Sequence, residues 1–206
     1  MQIIANSIFK RFIQTWIIRD FSFQFESGKR YGIAGPNGVG KSTLLQMLAG
    51  LIPLTKGVLN YSYQGKVIDG EHWYQYISFT APYGDVYDYM NIEELTRHHQ
   101  VFKKFQDQMS VKDFINFCYL KGHEHKLIKT YSSGMKQRLK LGLSVLSESP
   151  ILFLDEPQSN LDNQAKDWYQ NLMQQYTKDK LVIIASNEIE DFKMVDEIIS
   201  LQPKQN

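Results

Sequence analysis

Eight consecutive residues stand out for their chemistry: Gly35-Pro36-Asn37-Gly38-Val39-Gly40-Lys41-Ser42, followed by Thr43. The run fits the P-loop pattern G-x-x-x-x-G-K-[ST]. Its glycines let the backbone curl so that successive N–H groups point inward, where they bind phosphate oxygens. A helix starting near Lys41 adds its positive end to the same place. Lys41 is expected to reach the β- and γ-phosphates of a nucleoside triphosphate, and Ser42 to hold Mg²⁺. A second pair follows much later, in Ile151-Leu152-Phe153-Leu154-Asp155-Glu156. Four apolar residues deliver two carboxylates. Asp155 is expected to hold Mg²⁺ through water, and Glu156 to orient or deprotonate an attacking water. Alone, the pair reads as a strand end with solvated acids; beside a phosphate cradle it supplies the other half of a hydrolytic site.

These residues need a scaffold, and the hydrophobic pattern supplies one. Tyr31–Ala34 is a short apolar strand running into the glycine loop. Leu44, Leu45, Leu48 and Leu51 then fall at helical spacing, and Gly50 with Pro53 ends that helix. The first thirty residues read as strands, with Phe21–Phe25 alternating apolar and polar before a turn at Glu26–Lys29. Val58–Phe79 holds short strand candidates. Asn91 to about Lys129 is polar and predicted helical, and Met135–Ser147 is a further helix with Leu139, Leu143 and Leu146 on one face. Ile151–Leu154 and Leu181–Ala185 are uniformly apolar, as strands covered on both faces are. Apolar strands alternating with helices predict an α/β fold with a mainly parallel sheet, whose ligands sit at the C-terminal strand ends.

Composition narrows the partners. The chain has 206 residues, 23 basic and 22 acidic, for a net charge of +1. This balance argues against a protein built to wrap nucleic acid. The single cysteine, Cys118, excludes an internal disulfide and fits a reducing compartment. No apolar run approaches the ~18 residues that a membrane helix needs, and the first residues lack a secretory apolar core. A cytoplasmic protein is expected, touching a membrane only through a partner. His98-His99 and His123-Glu124-His125 read as solvated surface, because no third His or Cys completes a metal set.

Tyr131-Ser132-Ser133-Gly134-Met135-Lys136-Gln137-Arg138 resembles the signature loop of ATP-binding cassette (ABC) ATPases, usually Leu-Ser-Gly-Gly-Gln. Ser132 and Gly134 match; Tyr131, Ser133 and Met135 depart. Ser159-Asn160-Leu161-Asp162 resembles the D-loop of that family. Phe12 stands where the family places an aromatic ring that stacks on adenine; the alternative for this residue alone is a core aromatic at a strand end. The ordered set spans most of the chain. The resemblance implies a P-loop NTPase: a RecA-like parallel core, an N-terminal antiparallel β subdomain and a small helical insertion over about 83–140, all within one domain, 1–206. It also implies ATP and Mg²⁺ as ligands, held by Phe12, the loop from Gly35 to Thr43, Asp155, and Ser132 and Gly134 reaching across to the ATP of a second copy. Two cassettes would sandwich two ATP molecules, beside a separate membrane permease that holds them at the cytoplasmic face.

Two positions depart from the family. After Tyr76–Phe79 the family carries a glutamine that touches Mg²⁺ and the water; here Pro82 stands, with neither a side-chain carbonyl nor an N–H. After Leu181–Ala185 it carries a histidine that contacts the γ-phosphate; here Asn187 stands and can donate a hydrogen bond but carries no charge. Slow hydrolysis is therefore expected. The residues around Pro82 are aromatic: Trp73, Tyr74, Tyr76, Phe79, Tyr83, Tyr87 and Tyr89. In the family this region meets the membrane subunit, whereas strand alternation alone would bury most of the rings. The leading reading is the ATPase subunit of an ABC transporter. The alternatives are a soluble non-transport ABC ATPase, or a degenerate cassette that binds ATP as a regulatory module.

Overall fold

Alternation of apolar and polar residues builds a long hairpin at the N-terminus. The structure, a computed structural model, describes residues 1–82 and 86–202. Strands β1 (Gln2–Phe12) and β2 (Thr15–Glu26) pair antiparallel from Gln2↔Glu26 to Phe12↔Thr15. Ile3, Ala5 and Ile8 of β1 and Ile18 and Phe25 of β2 are buried. The pairing slips three times between Ala5 and Arg11, and Ser7 and Asp20 take left-handed backbone near those shifts. Such bulges twist the ribbon. Two further strands, β4 (Lys56–Tyr63) and β5 (Lys66–Val67), complete the antiparallel sheet, which runs β2-β1-β4-β5.

The second sheet holds β3 (Arg30–Ala34), β6 (Ile77–Thr80), β7 (Ile151–Asp155), β8 (Leu181–Ser186) and β9 (Glu197–Ser200), in the order β6-β7-β8-β3-β9. β3 runs parallel to β8 and β9, and β7 parallel to β8. Every residue of β7 and β8 is buried, as their unbroken apolar runs require. Helix α1 (Lys41–Leu48) follows β3 and turns Leu44, Leu45, Met47 and Leu48 into a core shared with Ile33, Phe153 and Ile183 of this sheet and Ile3, Ile8 and Phe25 of the other. The α/β class, the antiparallel N-terminal sheet and the parallel core are as the sequence predicts.

Both sheets, except for Thr80 at the end of β6, and α1 fall in one compact unit, Met1–Phe79 with Pro150–Glu156 and Asp179–Asn206; a second unit comprises Thr80–Ser149 and Pro157–Lys178. The second unit is helical. α2 (Ile92–Phe102) opens with a capping box between Asn91 and Glu94, and α3 (Val111–Phe117) is capped by Ser110. α4 (Ser133–Val145) is capped by Ser132, and α5 (Asn163–Tyr176) by Asp162. Each cap accepts a first-turn N–H that has no partner within the helix. The predicted helical stretch from Asn91 to Lys129 is broken. Lys103 ends α2 in extended backbone, and Phe105, extended as well, bridges to Ser147 and stacks face to face on Phe114 at 4.8 Å. Tyr119 then ends α3 in left-handed backbone. Burying Phe105 outweighs continuing a polar helix. Tyr83 and the start of the expected insertion lie outside the described residues. Among the described residues, no helix is long and apolar enough to cross a membrane.

Two expectations about side chains need correcting. His99 is not solvated: its Nε2 meets Ser147 Oγ at 2.7 Å and its ring stacks on Phe105. Burial pushes its pKa down from 6.5 to about 4, with Lys103 and His98 adding to the effect. His98 touches the rings of both Tyr87 and Phe102, and His123 and Tyr131 meet edge to face. The aromatic group around position 82 is split. Trp73 stacks on Tyr61 and donates to Ala49 O at 2.8 Å, and Phe79 packs near Phe153, while Tyr74, Tyr87 and Tyr89 are exposed.

Candidate functional site

Strand β3 delivers the chain to Gly35, and the loop turns into α1 at Lys41. Gly35, Gly38 and Gly40 have φ of 152°, 78° and 111°. A Cβ on Gly35 would stand 2.7 Å from Leu201 O, and one on Gly40 2.8 Å from Ile17 Cγ2, so glycine is demanded by space as well as by φ. Val39 N–H closes the turn on Pro36 O at 3.3 Å. No side chain caps the start of α1, and its first turn carries no acidic residue. Its leading N–H groups and dipole therefore face the loop, an arrangement that binds anions.

Lys41 is 6% exposed and donates to Gly35 O at 2.9 Å and Pro36 O at 3.2 Å. Its ammonium is thereby held against the loop it serves. Ser42 Oγ donates to Asp155 Oδ1 at 3.0 Å. Two oxygen donors, 113 residues apart in sequence, meet where β7 ends beside α1. Burial raises the pKa of Asp155; Ser42's hydrogen bond pulls it back, Glu156's charge adds to the rise, and Lys41's charge opposes it. A hydroxyl and a carboxylate are hard oxygen donors, the kind Mg²⁺ takes when most of its shell is water and phosphate, so the donor set fits that ion.

Glu156 follows β7 with φ of 44°, in the left-handed region. That backbone costs a non-glycine residue ~1–3 kcal/mol and persists where surrounding contacts enforce it. Its N–H donates to Ala185 O at 2.8 Å, and its Oε2 accepts the Ser186 hydroxyl at 2.8 Å. Glu156, Lys41, Ser42, Thr43, Asn37 and Phe12 are among the residues lining a cleft of ≈ 340 Å³. This is within the ~300–1,000 Å³ of small-ligand sites. Phe12, at the end of β1, is 48% exposed rather than packed in the core, and Lys10 Nζ stands 4.9 Å over its ring. Asn187, just after β8, donates from Nδ2 to Asn37 Oδ1 at 3.1 Å, which joins it to the loop.

In the helical unit, Ser132 accepts Met135 N–H at 3.2 Å and opens α4. A Cβ on Gly134 would come within 3.1 Å of Asn160 O, so the Ser132–Gly134 turn packs closely on the Ser159–Asp162 turn. Lys140, about two turns further along α4, donates to Ala81 O at 2.9 Å and Pro82 O at 2.7 Å. Pro82, Tyr87, Tyr89, Lys136 and Lys140 are among the residues around a cavity of ≈ 650 Å³. Sequence reasoning missed Lys140, Ser186 and Asp191. Lys140 and Ser186 carry no local signal because Ala81 and Glu156 lie 59 and 30 residues away; Asp191 meets Ser186 from only five residues on, and its importance follows from Ser186.

A strand, a glycine loop and a Lys-Ser pair starting a helix, with a buried aspartate at the end of a strand in the same sheet, define a P-loop nucleotide-binding fold. The family model for ABC transporters matches residues 18–159. The uncharacterised ABC transporter ATP-binding protein YybJ of Bacillus subtilis (strain 168) is 30% identical over 192 residues, which are 88% of this chain and 84% of that protein. YxlF and YcbN of the same organism, also uncharacterised ABC transporter ATP-binding proteins, are 30% and 25% identical over 96% of this chain; it spans 66% and 65% of their length. The fold matches a solved ATP-binding subunit of an ABC transporter with TM-score 0.83 at 19% identity, covering 98% of this chain and 86% of that one. It matches a putative ABC transporter ATP-binding protein from Pyrococcus furiosus with TM-score 0.80 at 20% identity, covering 98% of each. The chain belongs to the ABC transporter family, whose ATPases bind and hydrolyse ATP.

Proposed function

We propose that this chain is the ATP-binding and ATP-hydrolysing subunit of an ABC transporter, acting as a pair of copies on the cytoplasmic face of a separate membrane permease. The observation that carries the reading is the meeting of Lys41, Ser42, Asp155 and Glu156 around one glycine loop. The loop amides and Lys41 bind the phosphate chain, and Phe12 offers a ring face to adenine. Ser42 and Asp155 hold Mg²⁺, which when bound neutralises phosphate charge. Glu156 accepts a proton as a water oxygen bonds to the γ-phosphorus; the bond from that phosphorus to the bridging oxygen breaks, and its electron pair stays on the β-phosphate. Lys41 offsets the charge that develops there. Ser132 and Gly134 face the γ-phosphate of the ATP held by the other copy, so each copy completes the other's site. Turnover of the isolated chain is slow, because Pro82 supplies no water contact and Asn187 carries no charge and already bonds to Asn37.

The test is calorimetric titration of ATP with Mg²⁺. Lys41→Ala removes the cation from the triphosphate and abolishes detectable binding; unchanged affinity would overturn the cradle assignment. Phe12→Ala weakens binding by roughly 1–3 kcal/mol, the range of base–aromatic stacking. No loss there would move the adenine contact to another ring, with Trp16 next in line.

A further inference from the structure

Strand β8 grips Glu156 twice, by the backbone at Ala185 and by the side chain at Ser186. Ser186 is fully buried, and its oxygen accepts Glu188 N–H at 3.0 Å. The same hydroxyl lies 2.5 Å from Asp191 Oδ2, a carboxylate only 4% exposed. A serine hydroxyl carries one proton, and here two carboxylate oxygens stand within its reach. It can therefore serve only one of them at a time.

We propose that Ser186 is a positioning residue for Glu156, and that Asp191 is the alternate acceptor that takes over the Ser186 proton when Glu156 turns toward the attacking water. The inference rests on Glu156 being the proton acceptor of hydrolysis. No bond to hydrogen breaks in this step. The proton stays on Ser186 Oγ, and only its direction changes, from Glu156 Oε2 to Asp191 Oδ2. The physical reason is the cost of stranding a buried donor. A hydroxyl left without an acceptor in a dry interior destabilises the structure that strands it. With Asp191 in place, releasing Glu156 exchanges one acceptor for another. Glu156 is thus aimed while it waits and released without penalty. The device carries more weight in this chain than it would beside a glutamine at 82 and a histidine at 187, because fewer other groups fix the water and the γ-phosphate.

The experiment is single-turnover hydrolysis of γ-labelled ATP by the full chain, with ATP affinity measured in parallel by calorimetry. Ser186→Ala is expected to slow hydrolysis about tenfold or more, the worth of a hydrogen bond to a charged group, while ATP affinity stays within about twofold. Ser186→Thr keeps the hydroxyl and recovers most of that loss. Asp191→Ala slows hydrolysis more than Asp191→Asn, which keeps an acceptor oxygen. Glu156→Gln separates the two levels of the argument. If it hydrolyses ATP at the wild-type rate, or if the wild type does not hydrolyse at all, Glu156 is not the base and both readings fall. If Glu156→Gln is inactive but Ser186→Ala keeps its rate, the assignment of Glu156 stands and the positioning role is overturned. Ser186→Thr as slow as Ser186→Ala overturns it too. Should Ser186→Ala not fold, the two Asp191 variants decide, and equal rates in both overturn the inference.

Discussion

Replacing Gly142 with alanine tests how tightly the helical unit is assembled. In a helix interior this change ordinarily stabilises by about 0.5–1 kcal/mol, because glycine loses more backbone freedom on folding. In α4 the sign is expected to reverse. A Cβ at this position would stand 2.4 Å from Cys118 Sγ and 3.1 and 3.3 Å from Phe114 Cε2 and Cζ. These distances fall inside the ~3.5–4.0 Å at which non-bonded heavy atoms attract. Neither neighbour has room to retreat: Cys118 and Phe114 are fully buried, and Phe114 is stacked on Phe105. Overpacking of this kind costs about 1–3 kcal/mol, so after the helical gain the net loss is up to about 2.5 kcal/mol and near 1 at the middle of both ranges. For a chain of this size a loss near 1 kcal/mol lowers the melting temperature by roughly 2–4 °C. Thermal unfolding of the full chain, with urea midpoints as a second measure, reads the effect. Cys118→Ala removes the nearest atom, so Gly142→Ala should cost much less in that background, a non-additivity that marks the contact itself. A higher melting temperature for Gly142→Ala in the wild-type background would refute the reasoning, since it would mean that α3 and α4 have slack between them.

Steady-state ATPase on Pro82→Gln, Asn187→His and the double variant tests the two substituted positions. The double variant should gain more than the two singles combined, because groups acting as a unit are non-additive and one preorganised donor is worth ~10²–10³ in rate; a wild type already as fast as the double variant would show that other groups position its water. His99 predicts a pH dependence of stability: a histidine whose pKa falls from 6.5 to about 4 on folding contributes fully above about 6.5, and that contribution is lost as pH drops toward 4. The full loss is about 3 kcal/mol, read as a falling urea midpoint whose slope between pH 7 and 5 flattens in His99→Gln; an equal slope in both proteins would count against it.

What the sequence discloses here depends on how local the physics is. The cradle was legible because its geometry is set within eight residues: glycines that permit unusual φ, then a lysine and a serine at a helix start. The strands β7 and β8 were legible because burial on both faces leaves them apolar up to their last residues, Asp155 and Ser186. Phe12 could be placed only by resemblance, since a strand end does not announce whether its ring points into the core. The break after α2 was not legible. Nothing near Phe105 forbids a helix, and its reason for leaving one is Phe114 together with the bridge to Ser147. The burial of His99 was hidden for the same cause, because the hydroxyl that holds it comes from Ser147, 48 residues away. The Ser186 contact to Glu156 likewise spans 30 residues and joins two strand ends that only the sheet order brings side by side.

That sheet order has a mechanical consequence. β8 lies between β7, which presents Glu156, and β3, which presents Gly35 and the phosphate loop. Its end touches both neighbours' cargo: Ala185 and Ser186 hold Glu156, and the next residue, Asn187, holds Asn37. A small slide of β8 along its neighbours would therefore shift the water-activating side and the phosphate-binding side in the same stroke. The strand works as a push-rod: a displacement delivered to its end reaches both halves of the reaction together, and neither half can be tuned through this strand without disturbing the other.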